Sequence, residues 1–255
     1  MQQSAAVMWG IPVMGRSIQV QLLAAHGVHG KRRAHMRWHA SPLLEPLQEV
    51  DGFLATGRAQ TVLDMSAHLP FEQAVPAMDH ILRPDTTRLL PALQKDQLRT
   101  LAAGLPTGTK RQRALKVIEF ANPLAQSPGE SLSRAQIYLH YFPAPTLQHP
   151  VYDRGGRLLG ILDFYWKEHG LAGEFDGSIK YSRGEFLNGG VPADAVEREK
   201  AREDRIRAAG LRFVRWTWDA ALTPESVNPP GLPRLLAQAG LKQDRWNHHW
   251  PGMSR

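Results

Sequence analysis

The chain has 255 residues, with 31 lysines and arginines against 24 aspartates and glutamates, which gives a formal net charge of +7. It contains no cysteine, which excludes a disulfide framework, a thiolate zinc site, an iron–sulfur cluster and a cysteine nucleophile. This length is enough for one large core or two modest ones, and the excess of positive charge weakly favours a polyanionic partner.

The first half is predicted to form a small α+β region, residues 1–121. A strand is expected at 17–23, and apolar residues at helical spacing predict helices at 56–67, 71–82, 89–101 and 110–121. Most of the charge excess lies here, because residues 1–120 carry 14 basic and 9 acidic side chains, a net of +5, and residues 121–255 carry 17 and 15, a net of +2. A domain boundary is predicted at 122–126.

The second half, residues 122–255, is predicted to form a second domain with one mixed sheet flanked by helices. The predicted order is helix, three strands, helix, strand and helix, at 127–141, 147–152, 158–166, 171–176, 194–209, 211–218 and 232–241. That order is typical of an α/β or α+β core. The sequence has no run of about 18 apolar residues and no secretory signal after Met1, so we expect a cytoplasmic protein.

Two carboxylates are expected to face each other on the central hairpin. If strands 158–166 and 171–176 pair across a four-residue loop, Trp166 opposes Leu171, and the numbers of opposed residues sum to 337. Asp163 and Glu174 also sum to 337, so their Cβ atoms would lie about 5 Å apart on one sheet face. Asp176 follows on the same face because strand side chains alternate.

Facing like charges destabilise a sheet unless something compensates them. A divalent cation such as Mg²⁺ is the natural candidate for the compensating charge, since it prefers carboxylate and water oxygens, but Lys180 or a shared proton would also serve. A solvated surface hairpin is the plain alternative. The nearly apolar run at 159–164 counts against it, because an Asp inside a buried strand needs a partner.

Glu130 has two interpretations. Ser127 and Glu130 stand three residues apart with Pro128 between them, which is the pattern of a capping box with proline at the first helical position. Glu130 would then only hold the start of a helix. The alternative is that it adds a third acid to the site, and the sequence alone favours the cap.

Residues 127–240 resemble a known protein family. The matching residues are the segment SPGES at 127–131, Gln148, the Asp-Phe pair at 163–164, the run Glu-Phe-Asp-Gly-x-x-Lys at 174–180, the helix at 199–204 and the later positions Arg207, Gly210 and Arg215. Together they resemble the PD-(D/E)XK nuclease superfamily. The closest branch is the domain of unknown function related to very-short-patch-repair endonucleases. The resemblance implies a restriction-endonuclease-like core.

The resemblance also implies roles for single residues. Glu130, Asp163 and Glu174 match the acids that hold Mg²⁺ (or Mn²⁺) for phosphodiester hydrolysis, with Asp176 beside them as a further metal ligand. Asp176 stands where the superfamily usually has a lysine, and Lys180 would fill that role from further along. DNA contacts are expected from Gln148, Arg202, Arg207 and Arg215. Ion pairs four residues apart with acids of the same helix explain its arginines about as well.

The first half more loosely resembles AbiEi-type antitoxin proteins, through residues 4–12 and 56–64. Members of that group usually start with a winged helix-turn-helix that reads DNA, and this chain begins after the place where that module would sit. Two functions are therefore expected. The first is a Mg²⁺-dependent DNA endonuclease, and the alternative is a non-catalytic DNA-binding regulator that keeps the nuclease fold and works with a toxin or a DNA-reading partner.

Overall fold

The computed structural model describes residues 1–15, 19–24, 32–177, 193–208, 210–246 and 250–253. The chain separates into two compact units, Met1–Ser131 with Gly252–Arg255, and Leu132–Pro251. The predicted boundary at 122–126 lies a few residues earlier, and the observed division falls inside a helix. Among the described residues, no helix is long and apolar enough to cross a membrane.

The first unit packs short helices with small sheets. Its helices are α1 (Gln2–Met8), α2 (Arg58–His68), α3 (Phe71–Ile81), α4 (Lys95–Ala102) and α5 (Gly108–Phe120), and its strands are β1 (Val20–Leu23), β2 (Arg32–Arg33), β3 (Met36–His39), β4 (Gln48–Val50) and β5 (Phe53–Ala55). Strand β3 pairs in parallel with β1 and antiparallel with β2, and β4 and β5 form a hairpin. Helix α2 is buried along nearly its whole length, so it forms the centre of this unit.

One helix of the first unit begins later than the sequence predicts. The pattern predicts a helix from residue 89, but α4 begins at Lys95. Leu89 has a left-handed backbone with φ of 53°, and Asp85 and Leu90 exchange two backbone hydrogen bonds of 2.9 and 3.0 Å. The apolar residues before α4 therefore belong to a turn. The short strands β4 and β5 were not predicted, since three residues carry almost no periodicity.

The second unit contains a mixed four-stranded sheet, as predicted. Its strands are β6 (Thr146–Tyr152), β7 (Leu158–Trp166), β8 (Leu171–Asp176) and β9 (Arg212–Thr217), and its helices are α6 (Pro128–Leu139, which starts in the first unit), α7 (Ala193–Ala208), α8 (Trp218–Leu222) and α9 (Leu232–Gln238). The strand order is β6-β7-β8-β9. The first two pairings are antiparallel, and β8 pairs in parallel with β9.

The sheet lies between helices α6 and α7. On the α6 side, the Trp216 indole N–H donates a 2.8 Å hydrogen bond to Ser133 Oγ of α6, and Phe164 packs on the same indole at 5.1 Å. A Cβ on Gly173 would come within 2.9 Å of Trp166 and Trp216, so only glycine fits under the two indoles. On the other side, Ile206 of α7 packs in an apolar cluster with strand residues of the sheet.

Candidate functional site

The central hairpin has the register that the sequence predicts. Strand β7 pairs with β8 through Phe164–Gly173, Tyr165–Ala172 and Trp166–Leu171, and each pair of numbers sums to 337. The two strands are joined by a short 3-10 turn that ends at Gly170. Asp163 and Glu174 are the next two residues beyond the last of these pairs. The ladder ends before these two acids, so the register is confirmed for three pairs, and the approach of Asp163 to Glu174 stays a prediction.

Asp163 binds the backbone of the neighbouring strand. Its Oδ2 accepts a 3.0 Å hydrogen bond from the Phe175 backbone N–H, and its Oδ1 lies 3.5 Å from the Gln148 amide nitrogen. The carboxylate thus takes a backbone donor of β8 just past the last ladder pair. Hydrogen bonds to a carboxylate partly compensate the cost of moving it out of water, which explains how Asp163 is tolerated in an apolar strand.

Gln148 lies opposite Asp163 with a strained backbone. The ladder pairs on either side, Leu147–Phe164 and His149–Leu162, place it there, and its φ is +49°. A left-handed conformation costs a non-glycine residue about 1–2 kcal/mol. Strain of this kind occurs preferentially at functional sites, and here it falls on a residue that the resemblance implicates in DNA contact.

The side-chain alternation of β7 is interrupted at the same place. Leu162 packs in the cluster of Ile206 from α7, whereas Phe164, two residues later, packs against Trp216 on the α6 side. Residues two apart in a regular strand share a face. Strand β7 is therefore irregular around Asp163, which gives this carboxylate a local geometry that a regular strand would not.

Glu174 is a buried acid held by two arginines. It is 7% exposed, its Oε1 lies 2.6 Å from Arg202 Nη2 of α7, and its Oε2 lies 2.8 Å from Arg215 Nη2 of β9. Burial raises the pKa of Glu174 above its usual value, and the two guanidinium groups oppose that shift. The charge of Glu174 is thus compensated within the protein.

The ion pairs continue along helix α7. Arg215 Nη2 is also 3.2 Å from Glu203 Oε2, and Arg207 donates to Glu203 Oε1 from Nη2 at 2.6 Å and from Nε at 2.9 Å. The expected ion pair four residues apart is confirmed for Arg207 and Glu203. Arg202 also reaches a strand residue 28 positions away, Glu174 of β8.

Glu130 acts as a capping residue, the interpretation that the sequence favoured. The Glu130 backbone N–H donates to Ser127 Oγ at 3.2 Å, and the Glu130 carboxylate accepts from the Gln126 backbone N–H at 2.8 Å. The first bond satisfies one of the N–H groups that the start of a helix leaves without partners, and the second links the first turn to the residue before Ser127. Glu130 belongs to the first unit and Asp163 to the second.

The remaining predicted residues are only partly described. Asp176 ends β8 opposite Thr217 of β9, and alternation places it on the face of Glu174. Lys180 lies outside the described residues. Within the described part of the chain, no group of three or more His, Asp or Glu side chains is arranged to hold a metal ion. The acids as they lie, with Glu174 bound to two guanidinium groups, therefore do not fit a Mg²⁺ or Mn²⁺ ion.

The sequence gives no direct sign of the ion pair between Glu174 and Arg202. An acid in an apolar run indicates that a partner exists, and the sequence offered a cation, Lys180 or a proton for that role. The partner is instead an arginine on a helix otherwise rich in charge. Because five acids and four basic residues lie between 194 and 205, spacing could not select one of them.

Comparisons with known proteins find relatives but no known activity. No family model matches the chain, and no solved structure matches it. It is 28% identical over 206 residues to "Uncharacterized protein MT2308" of Mycobacterium tuberculosis strain CDC 1551 / Oshkosh, an alignment covering 78% of this chain and 65% of the relative. The same values hold for "Uncharacterized protein Rv2248" of strain H37Rv. The chain thus spans about two thirds of the length of these relatives.

Proposed function

We propose that the chain is an endonuclease-like protein that acts on the phosphodiester bonds of DNA, with a PD-(D/E)XK-type core in its second unit. The observation that carries this proposal is the register of the central hairpin, which supports the expected approach of Asp163 and Glu174 just past its last ladder pair. A DNA substrate agrees with the net charge of +7 and with the cytoplasmic location expected from the sequence.

Three further features support a site at this hairpin. Gln148 has a strained backbone opposite Asp163, strand β7 loses its regular alternation there, and Glu174 is a buried acid bound by two guanidinium groups. Arg202 and Arg215 lie at the carboxylate with partly exposed side chains. Arginine suits phosphate recognition because its planar guanidinium binds two oxygens at once.

The alternative function is DNA binding without cleavage, in an antitoxin-type regulator. The two ion pairs of Glu174 favour it, because they compensate the acid without a cation. Asp176 at the usual position of a lysine favours it as well. Both functions share DNA as the partner and differ only in whether the hairpin acids support hydrolysis.

One pair of assays separates the two functions. Supercoiled plasmid is incubated with the full chain in MgCl₂, in MnCl₂ or in EDTA, and binding to a fluorescent DNA duplex is followed by anisotropy in EDTA at several salt concentrations. We expect nicking that requires the cation, and binding that weakens as salt rises. Binding without nicking in any cation supports the regulator. Neither binding nor nicking contradicts both functions.

A further inference from the structure

Leu89 lies in the turn before helix α4 and is exposed although its side chain is apolar. The residue is 87% exposed, and its φ of 53° is left-handed. This backbone conformation is unfavourable for a bulky apolar residue, whereas glycine or asparagine adopts it readily. The leucine side chain therefore gains little burial in return for its backbone strain, and the stability of the fold does not explain it.

The turn at 85–90 holds this leucine in a defined position. Asp85 and Leu90 exchange two backbone hydrogen bonds of 2.9 and 3.0 Å. Asp85 Oδ1 also accepts hydrogen bonds from the backbone N–H groups of Thr87 and Arg88, at 3.0 and 2.9 Å. Because the turn is already ordered, a partner that binds its exposed apolar group loses little affinity to the ordering of the chain.

The charges around the turn are mostly positive. Burial lowers the pKa of His80, and the nearby Arg83, Arg58 and Arg88 lower it further, against the opposing effect of Asp85. Three arginines therefore lie close to one acid in this part of the first unit, and Arg88 is exposed. A positive surface beside an exposed apolar group fits an anionic partner.

The anionic partner that suits a single exposed leucine is a DNA duplex. One leucine buries too little apolar area to hold a protein stably on a lipid surface. In DNA, one apolar side chain inserted from the minor groove between two base pairs is enough to unstack them partly and to kink the duplex. Arginines beside the inserted side chain can then contact the neighbouring phosphates.

We propose that Leu89 is a wedge that enters DNA between two base pairs, while the arginines around the turn contact the neighbouring phosphates. This inference rests on the proposed function, since it takes DNA as the partner. It places a DNA contact in the first unit, whereas the hairpin acids belong to the second. The bound duplex is expected to be kinked at steps of a pyrimidine followed by a purine, which deform most easily.

The test uses a duplex of repeated TA steps in which 2-aminopurine replaces adenine, because this base fluoresces more strongly when it is unstacked. Binding of the full chain in EDTA is followed separately, by the anisotropy of a second label on the duplex. We expect wild type to bind and to raise the 2-aminopurine fluorescence. Bound duplex without that rise overturns the wedge and leaves the proposed endonuclease standing.

The variant Leu89→Gly removes the wedge and suits the left-handed backbone, so it should fold. Because burial of a leucine and the cost of unstacking partly offset each other, its affinity for the duplex should stay within about tenfold of wild type. The rise in 2-aminopurine fluorescence should be lost. Leu124→Ala changes another exposed leucine of the first unit and should behave like wild type. A full rise with folded Leu89→Gly overturns the proposal.

The remaining outcomes separate the wedge from hydrolysis and from membrane binding. A rise that depends on Leu89, in a chain that never nicks plasmid, supports the wedge and refutes only the hydrolysis. A chain that does not bind the duplex overturns both proposals. Sedimentation with vesicles of phosphatidylserine and phosphatidylcholine tests a lipid surface, and binding to vesicles that depends on Leu89, without a rise on DNA, overturns the wedge in DNA.

Discussion

Arg202 and Glu174 form an ion pair between helix α7 and strand β8, with Nη2 and Oε1 2.6 Å apart. The pair joins residues 28 positions apart in the sequence and lies beside the predicted acid pair of the central hairpin. It gives a buried carboxylate a partner within the protein. The stability of the second unit should therefore depend on Arg202.

Removal of Arg202 should destabilise the second unit. In Arg202→Ala, buried Glu174 keeps Arg215 but loses its other guanidinium, so we expect the free energy of unfolding to fall by about 1–3 kcal/mol. This loss is smaller than the loss expected when a fully buried acid is deprived of its one charged partner. Urea denaturation followed by circular dichroism measures it. Arg205→Ala is the matched control, expected within about 0.5 kcal/mol of wild type. Equal stability of both variants would show that the ion pair contributes nothing.

The capping box predicts different effects for two substitutions at Glu130. Glu130→Gln keeps an acceptor for the Gln126 N–H, so both stability and any nicking activity should stay close to wild type. Glu130→Ala loses the acceptor and should cost about 1 kcal/mol. Thermal unfolding and plasmid nicking of the two variants check this. Loss of nicking in a stable Glu130→Gln variant would instead show that the charge acts in the site.

The left-handed backbone of Gln148 predicts an ordering among substitutions. Gln148→Gly removes the steric cost of a φ of +49° but adds chain entropy to the unfolded state, and the two effects roughly cancel. Gln148→Val places a β-branched residue where such residues are outliers and should cost more than about 2 kcal/mol. Chemical denaturation of both variants gives the comparison. A valine variant as stable as the glycine variant would contradict the strained backbone.

Asp64 predicts a pH dependence in the first unit. This fully buried carboxylate accepts a long 3.4 Å hydrogen bond from Ser41 through Oδ1, and Oδ2 has no hydrogen-bond partner among the described residues. Burial raises the pKa of Asp64 to about 6, against opposing effects of nearby positive charges. Between about pH 4 and 6 the folded chain keeps a proton that the unfolded chain releases, so this group makes stability fall as pH rises.

The comparison of wild type with Asp64→Asn isolates that contribution. The variant lacks the titration, so its stability relative to wild type should increase by about 2 kcal/mol from pH 4 to pH 7. The wild type must be compared with the variant because a second group, His39, acts in the opposite direction in both proteins. Burial lowers the pKa of His39 to about 4, which makes stability fall as pH decreases below about 6.5. Unfolding free energies measured across this range check the prediction, and a constant difference would contradict it.

The sequence predicts the second unit better than the first, for physical reasons. Strands β7 and β8 are joined by a short turn, so the turn sets the register that the sequence predicts, from Trp166–Leu171 to Phe164–Gly173. The box from Ser127 to Glu130 is likewise local and was predicted from spacing alone. The late start of α4 was missed because Asp85 and Leu90 exchange backbone hydrogen bonds. The periodicity of apolar residues does not reveal such a turn.

The long-range parts of the site could not be predicted. Arg202 meets Glu174 only because α7 packs across the sheet, and several charged residues of that helix are equivalent in sequence terms. The strained backbone of Gln148 lies opposite the place where β7 loses its regular alternation, at Asp163. Both features require knowledge of the packed sheet, since neither follows from the composition or spacing of one segment.

The nicking rate of supercoiled plasmid by site variants tests the proposed endonuclease activity most directly. Wild type, Asp163→Asn, Glu174→Gln and Arg205→Ala, each verified as folded by circular dichroism, are compared in MnCl₂ and in EDTA. The account predicts that wild type and Arg205→Ala nick the plasmid only with Mn²⁺, and that both acid variants fall to background. Nicking at the wild-type rate by folded Asp163→Asn and Glu174→Gln would contradict it.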